Sequence, residues 1–480
     1  MHAGDARLAV VLLAGACAGT APPGAAPAAP RSAGTTPAPR ASAATGAPSL
    51  ATPGVDPARE CRSEPPGATE PLRFDWEKAI PRGPSGWITA LAAGPNGVLV
   101  TGADAAKAGA GEPFVASFDA NGRERFRVKL DQPRSTLAPP RAVAVAAAAT
   151  SAGDAYVVSL AARSAGPTAV ALSLLDTGGR VRFSVPLELS GQVEPALVVE
   201  PDGAVLVGGS LPSGREFAIV KLTHDGTRAW TKTYPVVGST PRLLRFGSGL
   251  ALVGALSGTA EFGDVKLART ETLQFRCSGD EHACDERAQA LFVAELGPEG
   301  ETVRARVLGG PASRISLTGV AASGDRLFVT GEYAGPPVAV GRTALCELEP
   351  GMPEREETGG FRELGDGPHC SCRGDQRDLF LLSLGTAAEP RWARTLALGG
   401  QTPRLALGGD GALRWAAEVW RSDNDGDARS RGKALLELWS LDAEGAVSRR
   451  RAAAAHFRHM AAGGSAVYLS DERTLRKATW

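Results

Sequence analysis

One strand pattern recurs seven times between Gly97 and Trp480, and nothing else in the chain limits its fold so tightly. Each copy has an apolar strand opened by Gly, Asp or Ser. The copies read Gly97-Val-Leu-Val-Thr-Gly102, Asp154-Ala-Tyr-Val-Val-Ser159, Gly203-Ala-Val-Leu-Val-Gly208 and Gly249-Leu-Ala-Leu-Val-Gly254, then Asp325-Arg-Leu-Phe-Val-Thr330, Gly411-Ala-Leu-Arg-Trp-Ala416 and Ser465-Ala-Val-Tyr-Leu-Ser470. A small-residue strand precedes each copy and a second apolar strand follows it, for example Phe114–Phe118, Phe217–Leu222 or Leu379–Leu384. Next comes a turn such as Asp119-Ala-Asn-Gly122, Asp176-Thr-Gly-Gly179 or Asp442-Ala-Glu-Gly445, where Gly and Asn supply the positive φ of a tight hairpin. The fourth strand carries an aromatic: Phe126, Phe183, Trp230 or Trp392. Fixed-period repeats of this kind identify a repeat architecture, and short apolar runs without 3.6-residue spacing make it all-β.

Six units are complete, and the seventh ends at Trp480 after its third strand. The segment Leu72-Arg-Phe-Asp-Trp-Glu-Lys-Ala-Ile80 reads as a fourth strand with no third strand before it. Together the two chain ends make one unit, which predicts a seven-bladed β-propeller closed by strand 72–80. Closure removes the open edge that a linear array would leave. The predicted propeller domain is 72–480.

The phrase Phe217-Ala-Ile-Val-Lys-Leu-Thr-His-Asp-Gly-Thr-Arg-Ala-Trp230 resembles the repeat of bacterial seven-bladed β-propeller surface proteins and lipoproteins. Their units run roughly Phe-Val-Ala-Lys-Leu-Asp-x-x-Gly-x-x-x-Trp. The resemblance covers nearly everything after residue 72 and implies an exported, surface-located propeller. That family shares no catalytic residues, so none is carried over.

The N-terminus fits export. Arg7 precedes the apolar run Leu8–Ala16, too short to span a bilayer but suited to a signal peptide over 1–17. Its end, Leu13-Ala14-Gly15-Ala16-Cys17, resembles the lipobox of bacterial lipoproteins, which implies a lipid anchor on Cys17. The large aliphatic residue lies one position further from the cysteine than in that family, and ordinary cleavage is the alternative. Residues 18–71 are mostly Ala, Pro, Gly, Ser and Thr. Such a segment buries too little to offset its ordering entropy and is expected to be a disordered tether. The expected location is the periplasm or the outer membrane and cell surface.

Lys+Arg and Asp+Glu both number 52, so the net charge is zero. This leaves no basic footprint for nucleic acid and no polybasic segment for an anionic membrane. Spacing between successive second strands is roughly 50 residues, stretching to about 75 and 87 after units four and five. The excess falls between second and third strands, as extended loops on one face of the ring, where binding residues usually sit.

Five of seven cysteines lie in those loops: Cys277, Cys284, Cys346, Cys370 and Cys372. With Cys61 they make six, an even number in an oxidising compartment, and disulfides are the leading reading. Cys277 with Cys284 is the simplest pair. The rival reading is a metal site of Cys277, His282 and Cys284 with His369, Cys370 and Cys372, against which stand the absence of Cys-x-x-Cys knuckles and the oxidising compartment. Asp423, Asp425 and Asp427 offer oxygen ligands for calcium, but the Gly426 spacing departs from an EF-hand and favours a solvated hairpin.

No Gly-x-Ser-x-Gly, His-Glu-x-x-His or Gly-rich phosphate cradle occurs, and no cofactor is expected. His456 and His459 are read as strand-surface residues, and the fourth-strand aromatics as packing between blades. The expected function is a monomeric, lipid-anchored binding or scaffold module for an envelope protein or glycan. The alternative is a propeller-fold enzyme of hydrolase, lyase or quinoprotein type.

Overall fold

The structure, a computed structural model, describes residues 69–80, 86–104, 111–130, 142–161, 168–190, 195–237, 241–269, 272–276, 283–287, 289–309, 313–334, 338–340, 343–345, 378–396, 401–421 and 433–480. Seven antiparallel sheets follow one another along the chain. Blade 1 is Trp87–Gly94, Gly97–Asp104, Glu112–Phe118 and Glu124–Lys129. Blade 2 is Ala142–Ala149, Ala155–Ala161, Ala169–Leu175 and Val181–Leu187. Blade 3 is Ala196–Val199, Val205–Ser210, Glu216–Leu222 and Arg228–Pro235. Blade 4 is Arg242–Phe246, Gly249–Leu256, Ala290–Leu296 and Thr302–Leu308. Blade 5 is Arg314–Ser323, Arg326–Ala334, Asp378–Leu384 and Pro390–Leu396. Blade 6 is Gln401–Leu407, Leu413–Arg421, Lys433–Leu441 and Val447–Ala453. Blade 7 takes His459–Gly463, Ala466–Ser470 and Thr474–Thr479 from the C-terminus and Trp76–Ala79 from the N-terminus.

Each blade's innermost strand contacts the innermost strand of the next, and blade 7 contacts blade 1, so the ring is closed. The closing strand pairs antiparallel with Thr474–Thr479, Trp76 opposite Lys477 and Ala79 opposite Thr474. It is shorter than the expected 72–80. Leu72 and Phe74 instead pack into the junction of blades 6 and 7. A second difference lies just before it. Glu70–Pro71, assigned by composition to the tether, pair parallel with the outermost strand of blade 6, Glu70 opposite Arg451. The N-terminal segment therefore straps two blades.

The core is divided among seven apolar clusters, one at each blade junction. This explains the continuous apolar second and third strands. A blade between two neighbours is buried on both faces, so polar alternation would bury unpaired groups.

The Asp/Gly turns between third and fourth strands do two jobs. Asp119 Oδ1 accepts the N–H groups of Asn121 and Arg123 at 2.9 and 2.8 Å, and Asp442 Oδ1 accepts those of Glu444 and Ala446. The glycine that follows has positive φ, and at each turn the ladder shifts register by a bulge. That glycine also receives the aromatic of the preceding blade: Trp76 lies over Gly122, Phe126 over Gly179, Phe183 over Gly226, Trp230 over Gly300 and Trp392 over Gly445. The indole N–H groups of Trp76 and Trp392 donate to Ala120 O and Ala443 O at 3.1 and 3.2 Å. The fourth-strand aromatics thus pack between blades.

Gly179→Ala should cost roughly 2–4 kcal/mol, from left-handed backbone and from overpacking. Its φ is 84° and a Cβ would lie 2.7 Å from Phe126 Cγ. Gly324→Ala, at φ 56° with nothing within 4 Å, should cost only the conformational part, about 1–2 kcal/mol. Urea unfolding of both variants measures the difference, and equal losses would show that the aromatic contact contributes nothing.

Tyrosines add further links. Tyr156 donates to Gly203 O at 2.7 Å, joining blades 2 and 3, and Tyr234 donates to Gly300 O, joining blades 3 and 4. Burial, with a smaller contribution from the Glu301 charge, pushes Tyr234 up to about 12. Burial likewise raises Tyr156 and Tyr468. In the unfolded chain a tyrosine ionises near 10. Between that pH and about 12 the unfolded state loses a proton that folded Tyr234 keeps, so stability should fall as pH rises through this window. Denaturant midpoints measured from pH 9 to pH 12 check it. Tyr234→Phe should flatten the decline.

Candidate functional site

The long connections of blades 4 and 5 run between second and third strands, as the spacing predicts. Blade 4 inserts the hairpins Thr259–Phe262 with Val265–Ala268 and Thr272–Arg276 with Ala283–Arg287, and blade 5 inserts Val338–Val340 with Thr343–Leu345. The first hairpin is anchored: Ala260 and Phe262 are buried, and the Phe262 ring lies 5.7 Å from Tyr234 and 5.6 Å from Phe292. It is therefore a rigid platform beside the junction of blades 3 and 4.

The corresponding connection in blade 7, Asp471–Arg473, is short and borders a cavity of about 940 Å³. Ring geometry puts equivalent connections on one face, so cavity and inserts share a face. The walls come from blade 1 (Trp87, Ile88, Thr89), blade 2 (Val145), blade 6 (Arg404, Glu418), the segment leading into blade 7 (His456, Phe457, Arg458, His459) and blade 7 (Asp471 to Thr474). The volume is near the upper end of small-ligand sites.

Bulges in the innermost strands shape this rim. Register shifts at Thr89, Val145 and Thr318 turn carbonyls and hydroxyls toward neighbouring blades. Thr89 Oγ1 donates to Ala144 O, and Thr318 Oγ1 donates to Pro403 O at 2.7 Å. Arg404 continues the stitching, its Nε to Arg458 O at 2.7 Å and its Nη1 to Thr318 O at 3.0 Å.

The cavity carboxylates are each engaged by named donors. Glu418 accepts the Phe457 N–H at 2.8 Å and lies 3.5 Å from His456 Nδ1. Asp471 accepts the N–H groups of Arg473 and Thr474 and pairs with Arg476 at 3.1 Å. Glu472 pairs with Arg458 Nη1 at 2.7 Å. On the donor side, Arg458 and His456 are well exposed, at 62% and 70% of their side chains. Trp87 is 38% exposed, the one large exposed aromatic among the described residues.

The two histidines read as strand surface differ in their setting. His456 lies in the segment between blades 6 and 7, His459 opens an innermost strand, and both line the cavity. The segments leading into innermost strands share the face of the second-to-third connections, which is the signal the sequence offered. Cys17, Cys61, Cys277, Cys346, Cys370, Cys372, Asp423, Asp425 and Asp427 lie outside the described residues. Cys284 stands opposite Phe275 in the second hairpin of blade 4. Among the described residues no group of three or more His, Cys, Asp or Glu is placed to hold a metal ion, and no helix is long and apolar enough to cross a membrane.

The chain is a seven-bladed β-propeller protein. No protein-family model and no curated protein sequence matches it. Among solved structures it is similar to BamB from Moraxella catarrhalis, at 11% identity and TM-score 0.42, covering 85% of this chain and 98% of that one. It is also similar to the β-propeller domain of the trilobed protease from Pyrococcus furiosus, at 11% identity and TM-score 0.41, covering 82% and 95%. The α-L-arabinanase of Penicillium chrysogenum matches at 12% identity and TM-score 0.37, covering 71% and 92%. These likenesses are of fold alone.

Proposed function

We propose that this chain is a binding or scaffold module of the bacterial cell envelope. An N-terminal leader exports it, a lipid on Cys17 holds it at a membrane, and its partner engages the face that carries the cavity and the inserts. The observation behind the reading is the sharing of that face by an open cavity, exposed charged donors and a buried-anchored insert. A rigid ring presenting variable connections is how such scaffolds bind. In an oxidising compartment Cys61, Cys277, Cys284, Cys346, Cys370 and Cys372 form disulfides.

A photo-crosslinker placed at Arg473, on the cavity face, should capture the partner in intact cells, whereas one at Asn121, in a turn on the opposite face, should not. Equal capture from both, or none from Arg473, would defeat the assignment of the face. Mass spectrometry of the mature N-terminus should find diacylglyceryl-Cys17, and a free residue downstream of it would exclude the anchor. A thiol count on denatured, unreduced protein should find no free cysteine.

A further inference from the structure

We infer that the cavity on this face is a saccharide site that selects carboxylate-bearing sugars. The inference deepens the proposed function and rests on it. The wall holds one exposed flat apolar ring, Trp87, while its other large apolar members, Ile88 and Phe457, are buried. A protein partner ordinarily needs a contiguous apolar core in its interface. One exposed indole cannot supply that, but it matches the C–H face of a pyranose ring. Around it stand long planar hydrogen-bonding side chains with backs fixed by the fold: Arg404 by two carbonyls, Asp471 by two N–H groups and Arg476, Glu418 by the Phe457 N–H. Hydroxyl pairs on a sugar are read by such rigid forks.

The preference for an acidic sugar follows from the donors left on the exposed Arg458 guanidinium. The carboxylates Glu418, Asp471 and Glu472 are already engaged. Arg458 spends Nη1 on Glu472, and a guanidinium carries five N–H donors in all, so donors remain on an exposed side chain. A ligand rich in acceptors, and best a carboxylate held by the Arg458 fork, completes this set.

The test uses the full chain and a panel of oligosaccharides containing uronic, sialic or muramic acid, each beside its neutral counterpart, with affinity read by calorimetry. At least one acidic member should bind about tenfold or more tightly than its neutral partner. Trp87→Ala should weaken the acidic and neutral forms alike, whereas Arg458→Gln should abolish the preference between them. The Arg458–Glu472 pair is exposed and contributes little to stability, so Arg458→Gln tests the idea even if Trp87→Ala does not fold. Failure of every acidic glycan to bind, or affinity unchanged in Arg458→Gln, overturns the inference. If the Arg473 crosslinker captures a protein while no glycan binds, the saccharide site falls and the binding face stands.

Discussion

A chain that begins at residue 81 should lose at least about 5 kcal/mol of stability relative to one that begins at residue 69. The loss comes from burial. Leu72 and Ile80 are core residues at the junctions of blade 7 with blades 6 and 1, each worth about 1.5–3 kcal/mol, and Trp76 leaves its seat on Gly122. Ion pairs go too, including Arg476 with Glu77 at 2.9 Å and Arg449 with Glu70 at 3.0 Å. Their carboxylates are about half exposed, so they add little. Deletion also bares Thr474–Thr479 as an unpaired edge, a template for association with another chain. Calorimetric melting and size-exclusion chromatography of the two truncations would show it. With disulfides reduced in every sample, so that loss of Cys61 does not enter the comparison, the chain from 69 should melt like the full chain, and the chain from 81 should melt far lower or aggregate. Equal melting temperatures would mean the ring does not depend on its N-terminal strand.

The closing strand was legible because its signal is local. Trp76 and Ile80 sit in a strand pattern with no partner nearby, and the C-terminal unit lacks one strand. The third-to-fourth turns were legible for a similar reason, since Asp119 and Gly122 each perform a task that few other residues can. The strap Glu70–Pro71 was not, because a pairing of two residues leaves no periodicity to read. The candidate site was hidden more deeply. Trp87, Arg404, His456 and Arg473 come from blades 1, 6 and 7 and meet only when the ring closes. A single arginine or tryptophan in a strand pattern carries no mark of the neighbour it will find across that closure. The bulge at Thr318, which frees a carbonyl for Arg404, is likewise decided by packing between blades.

Arg450→Met should cost about 3–5 kcal/mol, although arginine in an outermost strand would ordinarily be a tolerant surface position. Arg450 Nε and Nη2 reach Glu437 Oε2 and Oε1 at 2.9 and 2.7 Å, and the two side chains are 4% and 0% exposed. Removing the cation takes the guanidinium away from a carboxylate held in the blade interior. Glu437→Leu should cost a similar amount by stranding the guanidinium. Glu437 lies in a strand reading Leu435-Leu-Glu-Leu-Trp439, paired with the strand that carries Arg450, and a slip of one residue would exchange its two faces and separate the charges. It therefore penalises wrong registers more than it stabilises the right one. That distinction is measurable, because replacing both residues should recover most of the loss. Urea unfolding of the two single variants and of Glu437→Leu with Arg450→Met gives the coupling energy directly. Single-variant losses below about 1 kcal/mol would mean that water reaches the pair. A double variant as unstable as the sum of the singles would mean that the charges stabilise the blade on their own account.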